Sequence, residues 1–390
     1  MKNKNWILIL LIIPVFLYSQ NDEISIEGLI LDNTGYGIPY AAIGIPSKYI
    51  GSSTNEDGAF LFTLSKSNLV DTLEVSSIGY KTFKINVQDY INQKEKKMVL
   101  IEDIVSLSEV NILASKDYVK LALKNYKKNV VSDMHQLNAL YRRFSSEANT
   151  SRFLVEHYIK ILDMNPLDLE LYEIEVEQTR KSVDYRFIKK KQKFHAVELL
   201  SKEHPIRQGL YQGDYVWKKT GDSSYDGEDI VVIEGEKKDQ SSGGHKFVKF
   251  YIGIDTYSIY KIESSLKNSV FIYKKNNDGK LYLSYHNRAS ESKEPLTPYM
   301  QKLLKVNTNT LTATWRHEVI VLGIETDRKK IDVENNMVKD LDMGDYNIPY
   351  NQEFWSKLNL PPASKFYNKY AEELESIYGI PLNKQFGVSN

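Results

Sequence analysis

Apolar and polar residues alternate with period two through most of this chain, and Gly, Pro or Asp-Gly punctuates the alternation. Phe60, Phe62 and Leu64 alternate with Leu61 and Thr63, so one face of that strand can be buried while the other stays wetter. Just before it, Asp57-Gly58 suits the positive φ angles of a tight hairpin, which predicts that Gly51–Thr54 pairs with Ala59–Leu64. Pro39 fixes φ and donates no backbone hydrogen bond, as befits the first residue of a strand or a sheet edge. Val75 and Ile78 lead into Gly79-Tyr80, and Phe83, Ile85 and Val87 make another alternating strand.

From Leu137 the alternation lengthens. Strands are predicted over Ala139–Ala148, Arg152–Asp163, Leu169–Thr179, Gly227–Glu236 and Lys246–Gly253, then Ser258–Leu266, Val270–Lys275, Lys280–Asn287 and Thr310–Ile324. Asn277-Asp278-Gly279 and Asp255-Thr256 read as hairpin turns between them. Three stretches switch to helical spacing. In Ser115–Val131, Val119, Ala122, Leu123, Tyr126 and Val130 share a face, Ser115 or Asp117 offers an N-cap, and the lysines gather towards the C-terminal end. Phe194–Lys202 is a short helical interlude, and Gln352–Ile377 reads as two helices covering a sheet. The expected architecture is mainly β with α. Residues 21–112 form a β-sandwich, 113–136 a connector helix, 137–348 an antiparallel sheet domain, and 349–390 a helical tail.

The first module carries a recognisable run of motifs. Gly28-Leu29-Ile30-Leu31-Asp32 precedes Pro39-Tyr40-Ala41-Ala42-Ile43, then Thr54-Asn55-Glu56-Asp57-Gly58-Ala59-Phe60, then Ser76-Ser77-Ile78-Gly79-Tyr80. Together they resemble the carboxypeptidase-regulatory-like domain, a transthyretin-like seven-stranded β-sandwich that is not itself a peptidase. The doubled small residue at Ala41-Ala42 departs from the family pattern. Leu107-Ser108-Glu109-Val110-Asn111-Ile112 is similar to the strand that closes this module in many Bacteroidetes envelope proteins. In the second part, Gly227–Ile233 and Phe250–Ile259 resemble the half-barrel of lipoprotein carriers of the LolA/LolB kind, which implies a concave, half-barrel-like sheet.

Composition narrows the function. The chain of 390 residues carries 51 basic and 51 acidic side chains, so no global field recruits nucleic acid or an anionic surface. There is no cysteine, which excludes disulfides, thiolate metal sites, a cysteine nucleophile and a lipidated N-terminal cysteine. Lys2 and Lys4 followed by the apolar run Trp6–Tyr18 read as a secretory leader over residues 1–19, cleaved after Ser19 or Gln20. That run is shorter than the roughly 20 apolar residues a spanning helix needs. An outer-membrane transporter barrel is not expected, because Glu and Lys recur where a lipid-facing surface would be apolar.

Three groups invite chemistry. His195-Ala196-Val197-Glu198 with the distant His317 has the ligand spacing of a zinc hydrolase. The antiparallel hairpins around His317 do not suit the mostly parallel sheet of that class, and His195 and Glu198 also fit the wet side of a short helix. Lys189, Lys190, Lys191 and Lys193 form a basic run that would attract anionic headgroups or glycan phosphates; a solvated strand end is the plainer account. Tyr251, Tyr257, Tyr260, Tyr273, Tyr282, Tyr285 and Trp315 would line a concave half-barrel for an acyl chain or apolar peptide, unless they fill its core. The expected function is that of an exported, non-enzymatic envelope protein, periplasmic or associated with the outer membrane. Its sandwich docks a protein or glycan partner, and its sheet binds a lipid, acyl chain or protein. Peripheral membrane association is compatible with this; no cofactor and no nucleic acid are expected. The alternative is a metal-dependent hydrolase using His195, Glu198 and His317.

Overall fold

The computed structural model describes residues 23–48, 50–103, 113–171, 173–188, 198–276, 278–338 and 341–388. The leader, the Leu107–Ile112 strand, the basic run Lys189–Lys191 with Lys193, and His195 lie outside them.

The N-terminal module is a sandwich of a three-stranded and a four-stranded sheet. Strands β1 (Glu23–Leu31), β4 (Ala59–Ser65) and β7 (Lys97–Val99) form the first, with β1 in the middle. Strands β2 (Ala42–Ile45), β3 (Ile50–Ser53), β5 (Thr72–Ser76) and β6 (Phe83–Asn86) form the second, in the order β3-β2-β5-β6. Alternation puts Ile26, Ile30, Phe60 and Phe62 from one sheet against Ile43, Leu73 and Val75 from the other. Helix α1 (Val87–Asn92), capped by the Asn86 side chain, adds Tyr90 to that core.

The expected hairpin at Asp57-Gly58 does not form. Strand β3 pairs with β2, while β4 pairs with β1 in the opposite sheet. The turn is nonetheless tight: Asn55 Oδ1 accepts from the amides of Asp57 and Ala59 at 2.8 and 2.9 Å, and Gly58 has φ +79°. A Cβ at Gly58 would stand 2.4 Å from the Ile30 carbonyl oxygen. The turn is thus pressed onto β1 and carries the chain from one sheet to the other.

Helix α2 (Ser115–Asn129) buries Tyr118, Val119, Ala122 and Tyr126. Its N-cap is Ala114 with no side-chain bond, not Ser115 or Asp117; Asp117 instead favours the first turn through the dipole. Ten antiparallel strands follow in one sheet. These are β8 (His135–Glu147), β9 (Thr150–Asp163), β10 (Glu173–Lys181), β11 (Tyr215–Tyr225), β12 (Glu228–Lys237), β13 (Phe247–Gly253), β14 (Ile259–Ser264), β15 (Ser269–Lys275), β16 (Leu281–Pro295) and β17 (Thr310–Glu325). Their spatial order is β10-β9-β8-β17-β16-β15-β14-β13-β12-β11. The meander β11–β17 is thereby zipped to the β8–β10 hairpins along the β8–β17 pair. The outer strands β10 and β11 do not pair with each other, so the sheet stays open as a half-barrel does.

Strand β11 escapes sequence reading because its middle, Lys218-Lys219-Thr220-Gly221-Asp222, is polar on both sides, as an edge strand tolerates. Between β16 and β17 stands a short helix α3 (Pro298–Leu304), and the tail contains three helices, not two: α4 (Gln352–Lys357), α5 (Lys365–Ser376) and α6 (Leu382–Val388).

Both faces of the long sheet are covered. One face packs against α2, Leu200 and Ile206, and against Met337, Met343 and Tyr346. The other carries the tail, where Phe144 and Leu154 meet Tyr370, Leu374 and Phe386, and beside it the N-terminal module. Two ion clusters are sealed inside. Glu156 lies fully buried between Arg142 at 2.9 Å and Arg180 at 2.6 Å, and Arg143 forks onto Asp342 at 3.0 and 2.6 Å. Burial alone would raise the Glu156 carboxyl's pKa; Arg180 and Arg142 outweigh it and hold it below the usual range.

Candidate functional site: the seam between module and sheet

The module is pinned to the sheet at two places. At the first, Tyr40 stacks on Tyr285 with ring centroids 3.8 Å apart and planes 20° from parallel. Tyr40 follows Pro39 and takes φ 57°, a left-handed conformation that turns its ring out of the module. Next to it the Arg316 guanidinium meets Glu56 of the module at 2.7 Å and Glu318 of the sheet at 2.5 Å. The tail closes this junction: Ser364 donates to Glu56 at 2.7 Å, and Asn55 donates to the Pro362 carbonyl at 3.0 Å. At the second place, the Gly79 amide donates to the Ser224 carbonyl on edge strand β11 at 2.7 Å.

Between the two pins the surfaces separate. They leave two openings of about 660 and 400 Å³ that share Ala42, Ser76, Tyr225 and Lys274. The centre of the module wall is built of small residues, Ala42, Gly44, Ser52 and Ser76, at strand positions beside the sandwich core, with Ile50, Glu74, Ile78 and Tyr80 around them. The sheet wall offers Tyr251, Tyr282, Lys261, Lys274 and Asn287. Such a slot combines flat aromatic surface, hydroxyl and amide groups, lysines, and the carboxylates of Glu74 and Asp226.

The phenols here remain protonated. Burial pushes Tyr225 and Tyr40 up to about 12, with the Glu318 carboxylate adding to the effect on Tyr40. Burial and then Glu263 raise Tyr251 as well. As protonated phenols they donate hydrogen bonds and stack, and they are poor nucleophiles at neutral pH.

The aromatic residues expected to line one concavity are divided between the two faces of the sheet. Tyr251 and Tyr285 stand on the module side; of these two Tyr251 borders the smaller of the two openings, whose lining also includes part of Tyr273, while Tyr285 lies under Tyr40. Tyr285 is 2 % exposed and covered by Tyr40; its hydroxyl lies 2.8 Å from that of Tyr40 and accepts from Asn287 at 3.1 Å. Tyr273 points to the opposite face, where its hydroxyl meets His204 at 2.5 Å and Tyr126 at 3.3 Å. Trp315 is buried on that face too, two residues before His317 on β17. Tyr260 sits at a bulge in β14 and donates to Glu228. Tyr257, in the turn before β14, packs against Tyr118 of α2, and Tyr282 borders the larger opening. Of the seven, the two-sided covering turned Tyr257, Tyr260, Tyr273, Tyr285 and Trp315 into packing.

His317 is buried and bonded through Nδ1 to the Tyr141 hydroxyl at 3.1 Å, and burial holds its pKa well below the usual imidazole range. The Glu198 side chain, like His195, lies outside the described residues, so the proposed ligand trio is not assembled in view. Among the described residues no group of three or more His, Cys, Asp or Glu is arranged to hold a metal ion. The module's share of the seam, Tyr40, Ala42 and Ser76, was missed from sequence. Its only hint is the departure at Tyr40-Ala41-Ala42 from the usual motif.

Residues 26–112 match the family model of the CarboxypepD_reg-like domain. They are a CarboxypepD_reg-like domain. Among curated proteins, none matches the chain. Three solved structures resemble the part after this CarboxypepD_reg-like domain. One is a domain named for outer membrane lipoprotein sorting from Vibrio parahaemolyticus, at 10% identity and TM-score 0.25, covering 56% of this chain and 94% of that one. A DUF1329 family protein from Desulfovibrio piger has 11% identity and TM-score 0.25, covering 56% and 95%. A LolA superfamily protein from Nitrosomonas europaea has 14% identity and TM-score 0.22, covering 57% and 99%. At those scores what the seam does has to be argued from its own residues, and the CarboxypepD_reg-like domain supplies half of them.

Proposed function

We propose that this is an exported, non-enzymatic binding protein of the cell envelope, and that its ligand enters the seam between the CarboxypepD_reg-like domain and the sheet. The observation that carries the reading is the double pinning. Stacking, ion pairs and backbone bonds fix the two walls at both ends, so the openings between them are preformed and cost little ordering on binding. Side-chain chemistry favours holding over transforming: the seam presents protonated phenols, hydroxyls, lysines and the carboxylates of Glu74 and Asp226, which pair with Lys84 and Lys275, and no imidazole lines it among the described residues. The interior of the sheet favours it as well, since both faces are packed where an acyl chain would otherwise lie. Export rests on the leader at residues 1–19. No helix among the described residues is long and apolar enough to cross a membrane.

Native mass spectrometry of the protein recovered from its own envelope tests this. The expected result is an adduct on the wild type that disappears from Ala42→Trp, which fills the larger opening with an indole. A wild type that is consistently bare, or an adduct that survives in Ala42→Trp, would sink the seam as the binding site.

A further inference from the structure

We infer that the seam selects a ligand carrying an anionic group, a carboxylate or a phosphate, attached to a flat apolar ring, and that Lys274 receives the anion. The inference rests on the seam being the binding site. Lys274 borders both openings, at the point where they join. Its neighbours on the sheet wall are already neutralised: Lys261 pairs with Glu263 at 2.6 Å, and Lys275 with Asp226 at 3.6 Å. Lys84, at the module's rim, pairs with Glu74 at 2.9 Å. Among the described residues the Lys274 ammonium lies over the face of Tyr282, 5.3 Å away, a contact that leaves its three donors without a hydrogen-bond acceptor.

Around that charge the seam supplies a second kind of contact. Tyr282 under Lys274 borders the larger opening and Tyr251 under Lys261 the smaller one, so each opening has an aromatic ring on which a flat group can stack. Opposite them Ala42 and Ser76, small residues that border both openings, leave room for a slot between longer module residues such as Ile50 and Glu74 in one opening and Ile78 and Tyr80 in the other. An ammonium where the two openings join, with an aromatic ring bordering each, matches a planar anion better than a bare ion. The bare ion would use Lys274 alone and gain no stacking.

The test uses the full mature chain labelled with 3-fluorotyrosine, with the Tyr251 and Tyr282 signals assigned by Tyr→Phe substitution. Benzoate and phenyl phosphate are the anionic probes, phenyl β-D-glucoside the neutral ring, and inorganic phosphate the bare anion. Both aromatic anions are expected to shift the two signals saturably, and Lys274→Met to weaken them about ten-fold, as loss of one charge-assisted contact does. Lys261→Met, which removes an already neutralised cation, is expected to change binding less than Lys274→Met. Preference for phenyl phosphate over benzoate assigns the phosphate form, and the reverse assigns the carboxylate. If the glucoside binds as tightly as the anions and Lys274→Met changes nothing, the anion inference falls while the seam stands. If no probe moves either tyrosine, the seam itself falls.

Discussion

Tyr40, held at φ 57°, lays its ring 3.8 Å from that of Tyr285 and so fixes the N-terminal module on a sheet residue 245 positions away. A left-handed backbone costs a residue with a Cβ on the order of 1 kcal/mol. The stack, the hydroxyl contact at 2.8 Å and the burial of two phenol rings offset that cost.

Tyr40→Ala is therefore expected to destabilise the chain by roughly 2–4 kcal/mol, the range for deleting a packed aromatic side chain. Tyr285→Phe keeps the stack and is expected to cost only about 1 kcal/mol, the worth of one hydrogen bond. Urea unfolding of the two variants checks the order; equal losses would contradict the stack as the main contact.

Glu156 sits between two guanidinium groups with no exposure of its own. Removing it takes the shared carboxylate from both guanidinium groups and, among the described residues, leaves Arg142 only Glu318 at 3.7 Å, so Glu156→Gln is expected to lose about 3–5 kcal/mol. Glu353→Ala breaks the exposed pair with Lys357 and is expected to leave the unfolding midpoint where it was. Comparison of the two midpoints checks the contrast.

All six described histidines are buried, and burial lowers the pKa of five of them. His157 and His286 fall to about 3 and His245 to about 4. Above the ordinary imidazole value of about 6.5 both folded and unfolded states carry these rings neutral, so stability is independent of them. Below it the unfolded chain takes up protons that the fold refuses, and each such ring costs about 1.4 kcal/mol per pH unit. Stability should therefore fall steeply as pH drops from 6.5 towards 4. His286→Gln, which removes one titrating ring, should flatten the slope by one proton while lowering stability at pH 8. Urea midpoints at pH 8, 6 and 5 measure it, and a slope unchanged in the variant would contradict a neutral His286.

A secretory leader over residues 1–19, if it is cleaved as its sequence suggests, leaves a mature chain beginning after Ser19 or Gln20. Edman sequencing of the protein recovered from the producing cell's envelope is expected to start at Gln20 or Asn21. A start at Met1 would contradict export by this route.

The local pattern was legible from sequence where it depended on the chain's own neighbours. Strand alternation at Phe60–Leu64, the helical face of Val119–Tyr126 and the hairpin before Leu281 are short-range properties, written in side-chain period and turn residues. What the tertiary structure decided is which surfaces meet. Asp57-Gly58 ensured a sharp reversal, yet the same alternation serves a partner in either sheet, and the fold chose β1. The tyrosines of the meander were visible as strand residues, but a pattern of period two has no record of what covers each face. The module and tail cover one side and α2 the other, so Tyr285 and Tyr273 became packing and Lys274 was left facing an opening.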